Sequence, residues 1–338
     1  MSGTTRIATQ RLAADAAAIA KAARVLGAGG LVAFPTETVY GLGADATDPA
    51  AVARLFAAKA RPKFNPLIAH VVDAAAAKRL GTFSTAAERL AAKFWPGALT
   101  LVVPARGDCA VCELARAGLA TIALRVPAHA VAQELLAAVG KPVAAPSANR
   151  SGHVSPTTAE HVLADLSGAI DLVLDGGPTP LGLESTIVDC TGEPPRLLRL
   201  GGIARAEIER ALGGPLADAS SSATPAAPGM LASHYAPRTR LRLDVAEVRP
   251  GEALLTFGGA RPKSAERAVR VLDLSAKGDL VQAAANLYAH LRALDAAGAE
   301  AIAIAPIPHE GLGEAINDRL KRAAAPRSRE IPPPLGGG

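Results

Sequence analysis

The chain has 338 residues, with 36 basic and 31 acidic side chains for a formal net charge of +5, and it is 49% hydrophobic but only 3% aromatic. That length suits about two domains, and its Ala, Val and Leu can fill sizeable cores, which excludes a disordered chain, a collagen-like repeat or a small disulfide scaffold. The scarcity of rings argues against a single-strand nucleic-acid binder built on stacking platforms.

In chain order, Arg11–Leu26 reads as an Ala-rich helix stopped by Gly27, Gly29 and Gly30, and Leu31–Phe34 as a short strand closed by Pro35. Ala51–Ala60 reads as a second helix, ended by Pro62. Apolar runs at Leu67–Val72, Leu99–Val103, Ile122–Val126, Val143–Ala145, Leu172–Leu174 and Thr186–Val188 read as strands. Helical patterns at Ala86–Phe94, Ala130–Val139, Thr158–Leu166 and Arg205–Leu212 separate several of them. This alternation predicts an α/β domain with a mixed, twisted sheet over residues 1–212.

Gly213–Gly229 is dense in Ser, Ala, Pro and Gly and predicts a flexible linker over residues 213–237. Beyond it, strands at Ala253–Phe257, Ala268–Leu272 and Ala301–Ile304 alternate with a helix at Asp279–Ala296. A basic helix at Glu314–Ala324 closes this smaller, Rossmann-like α/β unit over residues 238–338.

Residues 1–212 hold 21 basic and 18 acidic side chains and the remainder 15 and 13, so neither part is a basic domain. The cysteines Cys109, Cys112 and Cys190 do not form a secreted framework, and the lone Cys109–Cys112 pair lacks a second pair for zinc. Met1 to Arg11 has no apolar signal core, and no run approaches the roughly 18 apolar residues of a membrane span. A cytoplasmic protein is expected. There is no P-loop, no complete dinucleotide fingerprint around Gly41 and Gly43, no GxSxG elbow and no HExxH. His129, His161, His290 and His309 show no ligand spacing.

Several dense polar strings remain. Phe34–Gly43 (FPTETVYGLG) leaves a buried strand, which is where α/β sheets bind ligands, and a capping turn would account for only one of its threonines. Lys59–Leu67 (KARPKFNPL) puts three cations at a helix C-terminus, where the dipole favours them. Two prolines also stiffen that loop, and Arg61 as a fork with Lys59 as a point charge could grip a polyphosphate. His70 follows on the next strand. Pro142–Asn149 (PVAAPSAN) runs into Arg150–Thr157, a loop rich in hydroxyl and amide groups and small enough for a ligand to approach the backbone. Thr121–Arg125, Glu184–Thr186 and Leu198–Gly201 set polar residues within apolar runs. A buried Arg125 must meet either a structural acid or a ligand carboxylate.

Together these strings resemble the Sua5/YrdC family of L-threonylcarbamoyladenylate synthases over nearly the full length. PTETVYGLG, K-x-R followed by NPL, FWPGALTLV, ALRVPAH, PSAN, ESTIVD and LLRLGG occur in the family's order. The family's tetrad falls on Lys59, Arg61, Ser147 and Asn149, which YciO-like paralogues lack. Residues 228–237 resemble the segment of the longer, two-domain Sua5 form, with the match carried by His234, Tyr235, Ala236 and Pro237. The C-terminal unit matches loosely, mainly over residues 311–324.

The resemblance implies condensation of L-threonine, bicarbonate and ATP into threonylcarbamoyl-AMP and pyrophosphate. It implies a downstream transferase that passes the threonylcarbamoyl group to tRNAs reading ANN codons, and it leaves direct tRNA contact open. The threonine site would take Thr38, His70, Arg125, the Ala145 backbone and Ser185. The ATP site would take Lys59, Arg61, Asn65, Thr121, Ser147, Ser155, Arg199 and Tyr235, with Asn149 as a tetrad member. Mg²⁺ is expected to be held through phosphates and water without a protein cage. The linker with His234 and Tyr235 is expected to act as a lid. Two other readings, an RNA-binding module and a carbamoyl-adenylate former of the hydrogenase-maturation type, lack respectively a basic domain and the acylphosphatase and zinc-finger signatures.

Overall fold

The structure is a computed structural model that describes residues 8–62, 64–218 and 234–326. The central part of the expected linker, residues 219–233, lies outside the described residues.

The larger part runs β1 (Gln10–Ala13), α1 (Ala16–Gly27), β2 (Val32–Pro35), β3 (Tyr40–Asp45), α2 (Pro49–Ala58) and β4 (Ile68–His70). It continues through α3 (Ala74–Lys78), α4 (Thr85–Phe94), β5 (Leu99–Pro104), α5 (Glu113–Arg116), β6 (Thr121–Arg125), α6 (Ala130–Val139) and β7 (Val143–Ala144). It ends with α7 (Ala159–Leu166), β8 (Leu172–Asp175), β9 (Thr186–Asp189), β10 (Arg196–Arg199), α8 (Arg205–Leu212) and β11 (Ala217–Asp218). These strands form one 11-stranded mixed sheet in the order β1-β8-β2-β3-β7-β4-β6-β5-β9-β10-β11.

The smaller part holds β12 (Arg240–Arg242), β13 (Glu252–Thr256), β14 (Val271–Asp273), α9 (Leu280–Asp295), β15 (Ala301–Ile304) and α10 (Leu312–Ala324). Its sheet has the order β12-β15-β13-β14 with every pair parallel, as expected of a Rossmann-like unit. No helix among the described residues is long and apolar enough to cross a membrane.

Two local expectations give way. The opening helix does not begin at Arg11: Asp15 caps α1 by accepting the Ala18 N–H at 2.8 Å, and residues 10–13 instead pair in parallel with β8 at the sheet edge. The string Phe34–Gly43, expected as a loop leaving a strand, instead turns at once into β3 from Tyr40, held by antiparallel ladders to β2 and β7 despite two glycines that weaken strand preference. Tertiary pairing decides both.

Apolar cores pack on both faces of the large sheet. The core of the smaller part, built on Leu255, Leu287, Ile304 and Ile316, extends onto Val39, Val154, Leu183 and Tyr235. The two parts therefore share buried surface beside the polar strings.

Candidate active site

The polar strings meet at the C-terminal ends of the parallel neighbours β4 and β6, whose register sets His70 beside Arg125. β7 runs antiparallel to β3 and β4 and delivers the chain through Ala145 into the next loop. A bridge between Gly41 and Ser147, and an Ala148 N–H to Tyr40 carbonyl bond of 2.8 Å, tie that loop to the first string. The pocket so formed is lined by Thr38, Arg61, His70, Arg125, Ala145, Ser147, Ser185, Arg199 and Tyr235 from the expected set. Val39, Ile68, Pro146, Glu184 and His234 complete the lining.

One wall is cationic: Arg61 lines it, while the expected Lys59 and Asn65 are buried outside the lining. Lys59 is only 1% exposed, and its ammonium donates to the carbonyls of Ser147 and Asn149 rather than to a carboxylate. Ala60 has a φ of 48°, which ends α2 and folds the chain back so that the Arg61 N–H reaches the Phe56 carbonyl at 2.9 Å. Burial, reinforced by Arg61, holds the Lys59 ammonium well below the usual lysine range. Burial and then the Arg199 charge bring Arg61 down to about 10. Arg61 Nη2 donates to the Pro66 carbonyl at 3.2 Å, while Arg61 Nε, both amide atoms of Asn65 and Asn149 Oδ1 are buried without partners. An unpaired buried polar group costs about 1–3 kcal/mol, so an anionic, hydrogen-bonding ligand would stabilise this wall.

The opposite wall is ordered for a smaller polar ligand. Arg125 Nη2 donates to Glu37 at 2.7 Å, so the structural acid is present; among the described residues Arg125 Nη1 makes no hydrogen bond. His70 Nδ1 lies 3.3 Å from the Ile68 carbonyl. A carbonyl can only accept, so Nδ1 carries the proton and Nε2 is left as an acceptor. Burial and then the Arg125 charge depress His70 to about 3, keeping the ring neutral at physiological pH. The Thr36 hydroxyl donates to the Val39 carbonyl at 2.7 Å, so in the 2.8 Å contact with Thr38 it is Thr38 that donates. Arg199 holds the Ser185 carbonyl (3.1 and 2.9 Å) and hydroxyl (3.1 Å). Gly201 allows this arrangement: a Cβ there would come within 2.4 Å of the Glu184 carbonyl oxygen and 2.5 Å of Ser185 and Thr186 backbone atoms.

His234 and Tyr235, the first described residues after residue 218 and still within the expected linker, also line the pocket. Tyr235 has a φ of 63°, an unusual conformation for a bulky residue and one that clusters at functional sites. Its hydroxyl and His234 Nδ1 are buried without partners. Burial depresses His234 to about 3 and raises the Tyr235 phenol.

Other expected residues stand apart from the lining. Asn149 donates its amide to the Arg150 and His153 carbonyls, both at 2.8 Å, and Ser155 donates to Glu184 at 2.6 Å. Thr121 begins β6, opposite Pro104 and at the far end of the strand from Arg125. Tyr40 donates to the Gly177 carbonyl at 2.7 Å, pinning the loop after β8. Cys109 and Cys112 are free thiols packed against the large core.

Sequence reading missed Glu184 as a lining residue, and it missed Tyr288 and Arg319 from the smaller part. Arg319 left a signal, since it lies on the stripe of α10 that carries the buried Ile316, Leu320 and Ala323.

Comparison with known proteins gives the family. A family model for the Sua5, YciO and YrdC proteins, described as telomere recombination, matches residues 24–201, and one described as the threonylcarbamoyl-AMP synthase C-terminal domain matches residues 203–325. The threonylcarbamoyl-AMP synthase of Bacillus subtilis is 40% identical over 94% of this chain and 96% of its own. That of Pyrococcus abyssi is 41% identical over 88% of this chain and 92% of its own. The crystal structure of P. abyssi Sua5 complexed with L-threonine superposes with a TM-score of 0.83 at 38% identity, covering 94% of this chain and 97% of that one. E. coli YciO, at 23% identity and a TM-score of 0.51 over 58% of this chain and 96% of its own, shares the fold alone. The chain belongs to the Sua5/YciO/YrdC family, in the form that carries the Sua5 C-terminal domain.

Proposed function

We propose that this chain is a threonylcarbamoyl-AMP synthase, condensing L-threonine, bicarbonate and ATP for N6-threonylcarbamoyladenosine formation in tRNAs reading ANN codons. The observation that carries the reading is one pocket with two unlike walls: a wall where Arg61 leaves a buried N–H unpaired, with Lys59 and Asn65 buried outside the lining, and a wall where Arg125 stands beside a neutral His70. The first suits phosphates, and the second suits an amino acid whose carboxylate takes the Arg125 fork.

In this reading, threonine is held by Thr38, His70, Arg125, the Ala145 backbone and Ser185. ATP is held by Lys59, Arg61, Asn65, Thr121, Ser147, Ser155, Arg199 and Tyr235, with Asn149 supporting Lys59. The threonine amine attacks the carbon of bicarbonate and, with loss of water, becomes a carbamate. A carbamate oxygen then attacks the α-phosphorus, and the bond to the β-phosphate oxygen breaks to release pyrophosphate. The side chains position the reactants and neutralise charge, and no covalent nucleophile is needed. The carbamate is labile in water, so burial under His234 and Tyr235 protects it.

Mg²⁺ brought by the nucleotide would be held by phosphate oxygens and water and would supply charge neutralisation there. The residues fit that arrangement: the lining carboxylate Glu184 is already paired with Arg319 and accepts from Ser155 and Tyr288, so it is not offered to a cation. The adenylate passes to a separate threonylcarbamoyl transferase. The test is mass analysis of the product formed from carbon-13-labelled bicarbonate. The label is expected in threonylcarbamoyl-AMP, and an unlabelled or absent adenylate contradicts the reading.

A further inference from the structure

Where the smaller part meets the pocket, a single carboxylate gathers unusual company. Glu184 is buried, and Arg319 Nε donates to its Oε2 at 2.8 Å while the Tyr288 hydroxyl lies 3.0 and 2.9 Å from its two oxygens. Arg319 and Tyr288 come from α10 and α9 of the smaller part, and Ser155 of the larger part completes the set at 2.6 Å. The same guanidinium donates through Nη2 to the Leu200 carbonyl at 2.7 Å and lies 4.9 Å above the centre of the Tyr235 ring. Its Nη1 is anchored by Asp318 at 2.7 Å. Tyr235 is also stacked on Tyr288, with ring centroids 5.8 Å apart.

Arg319 thus touches three segments of the site at once. It fixes Glu184 and through it Ser155, it fixes the turn that follows Arg199, and it supports the ring of Tyr235. The backbone is shaped for this docking: a Cβ at Gly182, whose φ is 67°, would come within 2.5 Å of the Ala284 carbonyl oxygen on α9. Ordinary interface packing does not call for a buried arginine, because apolar residues of equal volume stabilise as well or better. A fully buried guanidinium with three directed contacts instead specifies geometry.

We propose that Arg319 is a positioning residue for the nucleotide half of the active site, supplied by the C-terminal part through Glu184, Leu200 and Tyr235. The assignment rests on the synthase reading above. It gives the smaller part a definite task, which is to hold Ser155 and Tyr235 in place for ATP.

The test is steady-state pyrophosphate release by the full-length chain, with KM for ATP and for threonine measured separately in wild type and Arg319→Lys. Lysine keeps the charge but cannot hold Glu184 and Leu200 together. The expected result is a KM for ATP raised about tenfold or more, with the KM for threonine within about twofold of wild type. A merely structural arginine would lower the active fraction, reducing apparent kcat while leaving both KM values alone; that pattern, or no change, overturns the proposal. If Arg319→Lys does not fold, Tyr288→Phe removes one hydroxyl from Glu184 while keeping the ring. It is expected to raise KM for ATP about threefold, and an unchanged value overturns the proposal. A wild type without threonine- and bicarbonate-dependent release refutes the synthase reading and the inference with it. An active wild type with an unselective Arg319→Lys refutes the inference alone.

Discussion

At the scale of single residues, the site is a set of cations whose ordinary hydration has been removed. Lys59 has exchanged water for two carbonyls, so its ammonium is costly until phosphates arrive. Its depressed pKa gives a signed prediction. ATP raises it again, so binding takes up protons between the free-state and the bound-state pKa, and affinity falls as pH rises through the free-state value. Calorimetry in buffers of different ionisation enthalpy measures that uptake, and Lys59→Met is expected to abolish it. Arg125 has a different task, since Glu37 already balances part of its charge. Arg125→Ala is expected to raise the threonine KM by about thirtyfold or more, the roughly 2 kcal/mol of one lost charge-assisted bond plus the buried Glu37 it strands. An Arg125→Ala enzyme with unchanged threonine KM would place the carboxylate elsewhere.

At the scale of elements, much of the chain was legible because its signals are local. α6 and α8 begin and end where apolar periodicity and the closing Gly140 and Gly213 place them. β4 and β6 were visible as the apolar runs Leu67–Val72 and Ile122–Val126, which contain His70 and Arg125, and the strands themselves end on those two residues. β3 was not visible: its glycines argue against a strand, and only the ladders to β2 and β7 form one. The pocket was legible as strings, whereas the Glu184–Arg319 contact, 135 residues apart in sequence, leaves no local pattern. Glycine at 201 is a signal of the same long-range kind. Gly201→Ala is expected to force the 184–186 segment away from Arg199 and to destabilise the chain by about 1–3 kcal/mol. Thermal denaturation would show this as a Tm lowered by several degrees, and an unchanged Tm would mean that the close approach is not maintained in solution.

At the scale of the molecule, the two parts meet through shared apolar packing and a buried charge pair. Burial alone would raise the Glu184 carboxyl, but Arg319, Arg199 and the Ser155 hydroxyl bring it down to about 2. A carboxylate depressed in the folded state stabilises the fold above the usual glutamate range near 4.3, and that contribution is lost as pH falls toward 2. Glu184→Gln is expected to be less stable at neutral pH by about 2–3 kcal/mol, because it leaves only Asp318 to balance the buried Arg319, and to lose less stability than wild type between pH 4.5 and 2. Denaturant midpoints measured across that window check both the offset and the slope.

The net charge of +5 finds its use at this scale in a few buried cations aimed at one pocket, rather than in a basic surface. The claim that this pocket joins threonine, bicarbonate and ATP is tested most directly by measuring pyrophosphate release from the complete mixture and with each substrate omitted in turn. Release is predicted only when all three are present. Release from ATP alone at the same rate, or none from the complete mixture, would contradict the account.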